Sequence, residues 1–215
     1  MTYMDNAIYI VFSATPTRMG RLIRLATRNR YNHVSLSLDR DIRRMYSFAR
    51  YHRTIPLYGG FVVESILRYG SFAGNAQVKI CRLPVSEPQY TYLCNYLERL
   101  WSERENYIYN TPAALTSLIH RRPAIPKTHT CITFVHEILT RYRLAGANPN
   151  RCPTVRRLEE LLSPYVIYEG SAAPLAGAGE WGEDTFPAQT STRYAVYTTA
   201  RHFGRLAKRA VVGVS

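Results

Sequence analysis

The segment Tyr31–Leu38 (YNHVSLSL) constrains the fold of this chain most, because polar and apolar residues alternate in it from His33 onward. Alternation with a period of two is typical of a strand with one buried face, since successive side chains point to opposite sides of a sheet. A turn is predicted at residues 39–41 (DRD), and residues 45–49 (MYSFA) return as a second strand. The predicted hairpin separates two sets of side chains: Val34, Leu36 and Leu38 on one face, and His33, Ser35 and Ser37 on the other.

The register of this hairpin determines which face Ser47 occupies. Tyr46 and Phe48 are expected to join the apolar face, because a slip of one residue would expose both aromatic rings. Ser47, between them in the sequence, is then expected on the same face as His33.

The remaining elements are predicted from short β-branched runs and from apolar residues at helical spacing. Further strands are expected at 7–13, 60–65, 77–83 and 165–168, and helices at 15–29, 86–107, 112–120, 128–144 and 154–162. Together they predict an α+β fold, in which an antiparallel sheet packs against helices.

A change of composition near residue 170 predicts three parts in the chain. A folded domain would cover 1–169, a linker rich in Ala, Gly, Pro, Ser and Thr would cover 170–192, and a basic extension would cover 193–215. The chain has 28 Lys and Arg against 15 Asp and Glu, a net charge of +13. Such a charge favours anionic partners, and the C-terminal segment is the candidate docking site for nucleic acid or a membrane surface. The alternative interpretation is a frayed terminus with surplus charge.

The four cysteines are scattered and form no Cys-x-x-Cys pair. The first apolar run, at 7–12, is too short and wrongly flanked for a signal peptide. No stretch approaches the ~20 apolar residues of a membrane span. We therefore expect a cytoplasmic protein with reduced thiols, in which a lone cysteine can act as a nucleophile.

Cys131 is the candidate nucleophile, because it falls in the first turn of the predicted helix 128–144, where backbone N–H groups and the helix dipole favour a thiolate. His33 is the candidate base, since the helix is expected to begin against the polar face of its strand. A cysteine on an apolar helix face is also compatible with simple packing. A zinc site of His129, Cys131 and His136 would lack a fourth ligand and would need different sides of one helix, so no metal or cofactor is expected.

The order of these motifs resembles a known family. HVSLSLD at 33–39 precedes THTCITFV at 128–135, and the segments 45–50 (MYSFAR) and 59–64 (GGFVVE) are similar to uncharacterised bacterial proteins of the same group. The chain resembles, over residues 5–168, the permuted branch of the NlpC-type papain-like cysteine hydrolases. That branch includes YiiX-like bacterial hydrolases, a poxvirus relative and lecithin retinol acyltransferase-like enzymes. Its histidine precedes its cysteine, as here, whereas ordinary papain-like enzymes have the reverse order.

The resemblance implies a permuted papain-like fold and a cysteine-dependent amidase, peptidase or acyl-transfer enzyme. Cys131 would be the nucleophile, and His33 would act first as general base and then as acid. A third polar residue should orient the imidazole; Ser47 and Glu64 are the candidates, and a dyad is the alternative. The substrate would be a peptide, an isopeptide or a lipid ester. The alternative function is a non-enzymatic binding module that docks nucleic acid or anionic lipid through its basic surface.

Overall fold

The computed structural model describes residues 6–15, 17–70, 76–115, 125–151, 153–177 and 182–212. The strands of this part of the chain form a single sheet in the order β7-β6-β4-β3-β2-β1-β5-β8. They are β1 (Ala7–Ala14), β2 (His33–Ser37), β3 (Met45–Arg50), β4 (Gly59–Glu64), β5 (Gln77–Pro84), β6 (Ile108–Tyr109), β7 (Thr128–His129) and β8 (Val166–Ser171).

The direction of the strands makes this a mixed sheet. All recorded neighbours pair antiparallel except β6 and β7, which run parallel. The α+β class is therefore confirmed, whereas the prediction of an entirely antiparallel sheet is wrong at this edge. The physical reason is the connection: nearly twenty residues separate β6 from β7, and a long connection allows the second strand to enter in the same direction as the first.

The predicted hairpin is present as β2 and β3. Leu36 pairs with Tyr46 and Ser37 with Met45, so the register is the one that hides the aromatic rings. Ser47 consequently lies on the same sheet face as His33. The recorded pairing between these strands covers only those two residue pairs, so the first residues of β2 have no described ladder partner on β3.

The described helices lie in the connections between strands and after the last strand. They are α1 (Arg18–Thr27), α2 (Leu67–Gly70), α3 (Glu87–Ser102), α4 (Thr111–Leu115), α5 (Cys131–Arg141), α6 (Val155–Leu161), α7 (Ala173–Ala176) and α8 (Thr192–Val212). The helix expected at 112–120 is described only as α4, and the rest of that prediction lies outside the described residues. The helix expected at 128–144 is shorter, because residues 128 and 129 are taken up by β7.

Both faces of the sheet are covered, since β1 is buried along its whole length. Different elements cover the two faces. On one face, buried residues of α3 and α5 join the apolar face of the central strands: Leu93, Leu97, Leu100, Phe134 and Ile138 with Ile10, Phe12, Leu36, Phe48 and Phe61. On the other face a smaller cluster includes Tyr9, Val11, Met45, Tyr69 and Val78. The polar residues of β2 belong to this second face.

The segment 170–192, predicted as a linker from its composition, contains ordered structure in its described part. Residues 170 and 171 complete β8, which pairs with β5 along the sheet edge. Asp184 and Phe186 are buried. The described part of this segment is therefore packed against the domain, and buried Asp184 is one of its points of attachment.

Candidate catalytic site

Glu64, the last residue of β4, is fully buried and is the centre of a hydrogen-bond network. Its carboxylate oxygens accept hydrogen bonds from hydroxyl groups at 2.7 Å (Ser35), 2.7 Å (Ser47) and 2.9 Å (Tyr69). The guanidinium of Arg68 donates to the same carboxylate at 2.9 Å. A buried charge is tolerated only when it is paired and hydrogen-bonded, and Glu64 meets both conditions.

The charge state of Glu64 follows from these neighbours. Burial alone raises the pKa of a carboxyl group, but the positive charges of His33 and Arg68 outweigh burial. Hydrogen bonds from His33 and Ser35 act in the same direction, and the pKa of Glu64 is held well below its usual range. Glu64 is therefore a permanent anion at neutral pH.

The imidazole of His33 lies against this anion. Its Nε2 is 2.8 Å from one carboxylate oxygen of Glu64 and 3.1 Å from the other. Burial lowers the pKa of His33, but the charges of Glu64 and Cys131, together with hydrogen bonds to both side chains, raise it to about 10. His33 thus lies against the carboxylate of Glu64, and both Glu64 and Cys131 favour its protonated form.

Cys131 is the first residue of α5 and is almost completely buried, with 4% of its surface exposed. The helix begins here because Thr130 and Thr133 form a reciprocal capping box, in which each side chain bonds the backbone N–H of the other. Because the first residues of a helix have no intrahelical acceptor for their N–H groups, the N–H groups of Cys131 and Ile132 remain directed toward this end of the helix. They provide two N–H donors at the helix start to which Cys131 belongs.

The face of the sheet on which α5 packs differs from the prediction. Phe134 of α5 packs on Phe48 and Phe61, so the helix covers the apolar face of the sheet and not the polar face of β2. Contact with His33 occurs at the beginning of β2, where the described pairing with β3 has ended. The expectation that the helix starts on the polar face was wrong, because the apolar side of α5 needs an apolar surface to pack on.

All four residues singled out from the sequence occur in this one network. Cys131 interacts electrostatically with His33, His33 lies 2.8 Å from Glu64, and Ser47 donates to Glu64 at 2.7 Å. Of the two candidate orienting residues, Glu64 is the one that holds the imidazole, whereas Ser47 holds Glu64. The sequence left this choice open because Glu64 lies two strands away from β2.

Arg68 and Asp184 belong to the same network and were missed by the sequence analysis. Arg68 bridges Glu64 and Asp184, and its Nε donates to Asp184 at 2.9 Å. Asp184 also accepts the backbone N–H groups of Ser65 and Phe186, at 2.9 and 3.0 Å. A periodic pattern cannot reveal this arrangement, because Arg68 lies in a helix of four residues and Asp184 comes from more than a hundred residues away.

Tyr109 on β6 is a second residue that the sequence analysis missed. Burial raises the pKa of its hydroxyl, the charge of Cys131 raises it further, and the charge of Arg50 acts in the opposite direction. Its strand neighbour is His129, two residues before Cys131, because β6 and β7 pair in parallel. A neutral phenol is therefore placed within electrostatic reach of the sulfur, from a strand too short to be recognised by alternation.

Comparison with protein-family models, with curated proteins and with solved structures found no match to this chain. The chemical interpretation of the site therefore depends on its own geometry. A thiol, an imidazole and a buried carboxylate lie in series at a helix N-terminus, which is an arrangement in which the imidazole can exchange a proton with the thiol.

Proposed function

We propose that this protein is a cysteine-dependent hydrolase or acyl-transfer enzyme, with Cys131 as nucleophile, His33 as acid–base group and Glu64 as the residue that orients the imidazole. The observation that carries the proposal is the position of His33: its Nε2 lies 2.8 Å from a carboxylate oxygen of Glu64, and the charge of Cys131 and a side-chain hydrogen bond with it contribute to the raised pKa of His33. A cysteine with only a packing role would not require an imidazole beside it. A buried glutamate whose only role was to neutralise Arg68 would not require a histidine at 2.8 Å.

Acylation would begin from the thiolate of Cys131 and the protonated imidazole of His33. The sulfur attacks the carbonyl carbon of an amide or ester, and the C=O π electrons move to the oxygen. When this tetrahedral species collapses, its C–N or C–O bond breaks and the leaving nitrogen or oxygen takes the proton from His33. The products are the free amine or alcohol and a thioester on Cys131.

Deacylation reverses the role of His33. The neutral imidazole takes a proton from water, the resulting hydroxide attacks the thioester carbonyl, and the C–S bond breaks to release the acid. The sulfur leaves as a thiolate beside the imidazolium, so the starting state is restored. An alcohol or amine in place of water would give acyl transfer by the same steps.

The transient oxyanion needs donors on the side of Cys131 that faces the helix start. The N–H groups of Cys131 and Ile132 can fill this role, because the first positions of α5 lack intrahelical acceptors. The hydroxyl of Tyr109 is a further candidate, since its raised pKa keeps it protonated and able to donate at neutral pH.

The same proposal includes the finer fold assignment. A permuted papain-like fold is supported by the order of the chain, in which the histidine strand β2 precedes the cysteine helix α5. It is supported also by a helix N-terminus placed at the histidine strand. Peptides, isopeptides and lipid esters all present the carbonyl that this chemistry requires, and they are the proposed substrate classes.

The test compares Cys131 with Cys94, a less buried thiol of the same chain. If accessibility decided reactivity, iodoacetamide would modify Cys94 first. Burial and the charge of Glu98 raise the pKa of Cys94, however, and burial raises that of Cys81 to about 12. We expect alkylation of Cys131 at neutral pH to be at least about tenfold faster than that of Cys94, as measured by peptide mass spectrometry.

Variants connect this reactivity to catalysis. His33→Gln should slow the alkylation of Cys131 by about tenfold or more, and Cys131→Ala should abolish both the burst and the turnover of an activated acyl ester. Cys94→Ala is the matched control and should change neither. Faster labelling of Cys94 in the folded wild type, or ester turnover that survives Cys131→Ala, would overturn the proposal.

A further inference from the structure

The long C-terminal helix α8 is attached to the domain by one of its faces. Thr198, His202 and Leu206 are buried on this face. Arg209 donates to the backbone carbonyls of Lys127 and Asn106, at 3.1 and 2.7 Å, and Arg205 donates to another backbone carbonyl. The helix is therefore a fixed part of the surface, and two of its five basic side chains are used to hold it there.

The opposite side of α8 carries an apolar stripe that faces away from the domain. Its residues recur at intervals of three or four, which places them along one line of a helix: Val196, Ala200, Phe203, Ala207 and Val211. All five are exposed, and the exposed fractions of the larger ones are 66% for Val196, 37% for Phe203 and 85% for Val211. A helix of a globular domain usually turns its apolar stripe inward, so this stripe needs a partner outside the domain.

The three remaining basic residues of α8 lie next to this stripe. Arg201 and Lys208 are seven residues apart and therefore lie on one side of the helix, whereas Arg193, eight residues before Arg201, lies closer to the line of the stripe itself. All three are exposed. The helix contains no Asp or Glu, so nothing within it neutralises these charges.

We infer that α8 docks this protein on an anionic lipid surface, with its axis parallel to the membrane plane. An exposed apolar stripe bordered by Arg and Lys is the pattern of a helix that lies in the interface between headgroups and acyl chains. Phe203 and the two valines would enter the acyl boundary, while Arg201 and Lys208 would contact the headgroup phosphates. No helix within the described residues is both long enough and apolar enough to span a bilayer.

The charge pattern favours lipid over the other partners that such a surface could bind. A second copy of α8 would bring cations against cations, because the helix has no acidic side chain to pair with them. Nucleic acid is bound through phosphate contacts, and these give no reason for a line of five exposed apolar residues. An anionic membrane is complementary to both the charged and the apolar parts.

The test measures sedimentation of the full chain with vesicles of phosphatidylcholine, with or without about one-third phosphatidylserine. We expect binding that depends on phosphatidylserine and weakens with salt. Val196→Ser with Phe203→Ser, and separately Arg201→Glu with Lys208→Glu, should each reduce the binding constant by about tenfold or more. Cys131→Ala should bind like wild type, so the result is independent of the proposed catalysis.

Two control variants change exposed residues on other surfaces. Leu25→Ser with Ile167→Ser matches the apolar change, and Arg40→Glu with Arg143→Glu matches the charge reversal. Both controls should bind within about twofold of wild type. Equal weakening by a control and its matched α8 variant would overturn the inference, as would equal binding to vesicles without phosphatidylserine. Tight binding of a DNA duplex that survives Val196→Ser with Phe203→Ser would also overturn it, and would assign α8 to phosphate binding.

Discussion

Two regions of this molecule carry arginines under opposite conditions. Arg68 is 5% exposed and is shared between two buried carboxylates, whereas Arg201 on α8 is exposed and has no acidic neighbour in its helix. In the first arrangement the charge of Arg68 is neutralised inside the domain, where it helps to hold Glu64 and therefore His33 in place. The second leaves its charge available to the surroundings. A net charge of +13 therefore says little until each cation is placed.

Removal of the charge of Glu64 should have the largest effect on stability. Glu64→Gln keeps the shape of the side chain but leaves Arg68 and His33 without their common anion, and breaking a buried pair costs about 3–5 kcal/mol. The free energy of unfolding, measured with urea, should fall by that amount. Glu183→Gln is the control, because Glu183 forms an ion pair with Arg44 on the surface and its loss should cost less than about 1 kcal/mol.

The second largest effect on stability should come from the loss of the proton of His33 as the pH rises. The pKa of His33 is raised to about 10 in the folded protein, above its unfolded value of about 6.5. Its contribution is therefore complete below pH 6.5 and is lost as the pH rises to about 10. We expect wild type to lose on the order of 2–4 kcal/mol more than His33→Gln over this interval. Parallel curves for the two proteins would contradict a proton held between Glu64 and Cys131.

The geometry of Arg68, as distinct from its charge, should have a smaller effect. Arg68→Lys keeps the cation but cannot donate to Glu64 and Asp184 from one planar fork, so one of the two acids loses a partner. We expect a loss of about 1–3 kcal/mol and slower alkylation of Cys131, since Glu64 is less firmly placed. Arg156→Lys, at an exposed ion pair with Glu160, should leave both quantities nearly unchanged.

The sequence predicted the parts of this site that depend on alternation and helix spacing. His33 and Ser47 were placed on one face by the register of a hairpin, and Cys131 was placed at a helix start by the apolar pattern that follows it. These are local rules, and they require only neighbouring residues to be compared.

The rest depends on contacts between distant segments. Asp184 reaches Arg68 across 116 positions of the chain, and its surroundings have the composition of a linker. Tyr109 lies on a strand of two residues, which is too short to have a period. The side chains of β2 alone did not show that α5 packs on the opposite, apolar face of the sheet. That packing is determined by the contacts of Phe134 with Phe48 and Phe61 on other strands.

The smallest effect on stability should come from the exposed cations of α8. Arg201→Glu with Lys208→Glu should change the free energy of unfolding by less than about 0.5 kcal/mol, because neither side chain is buried and surface charges contribute little. Arg209→Met is the internal contrast: its guanidinium bonds two backbone carbonyls of the domain, so its loss should cost about 1–2 kcal/mol. If the double charge reversal destabilised the protein as much as Arg209→Met, the outward face of α8 would be structural and would not be a free docking surface.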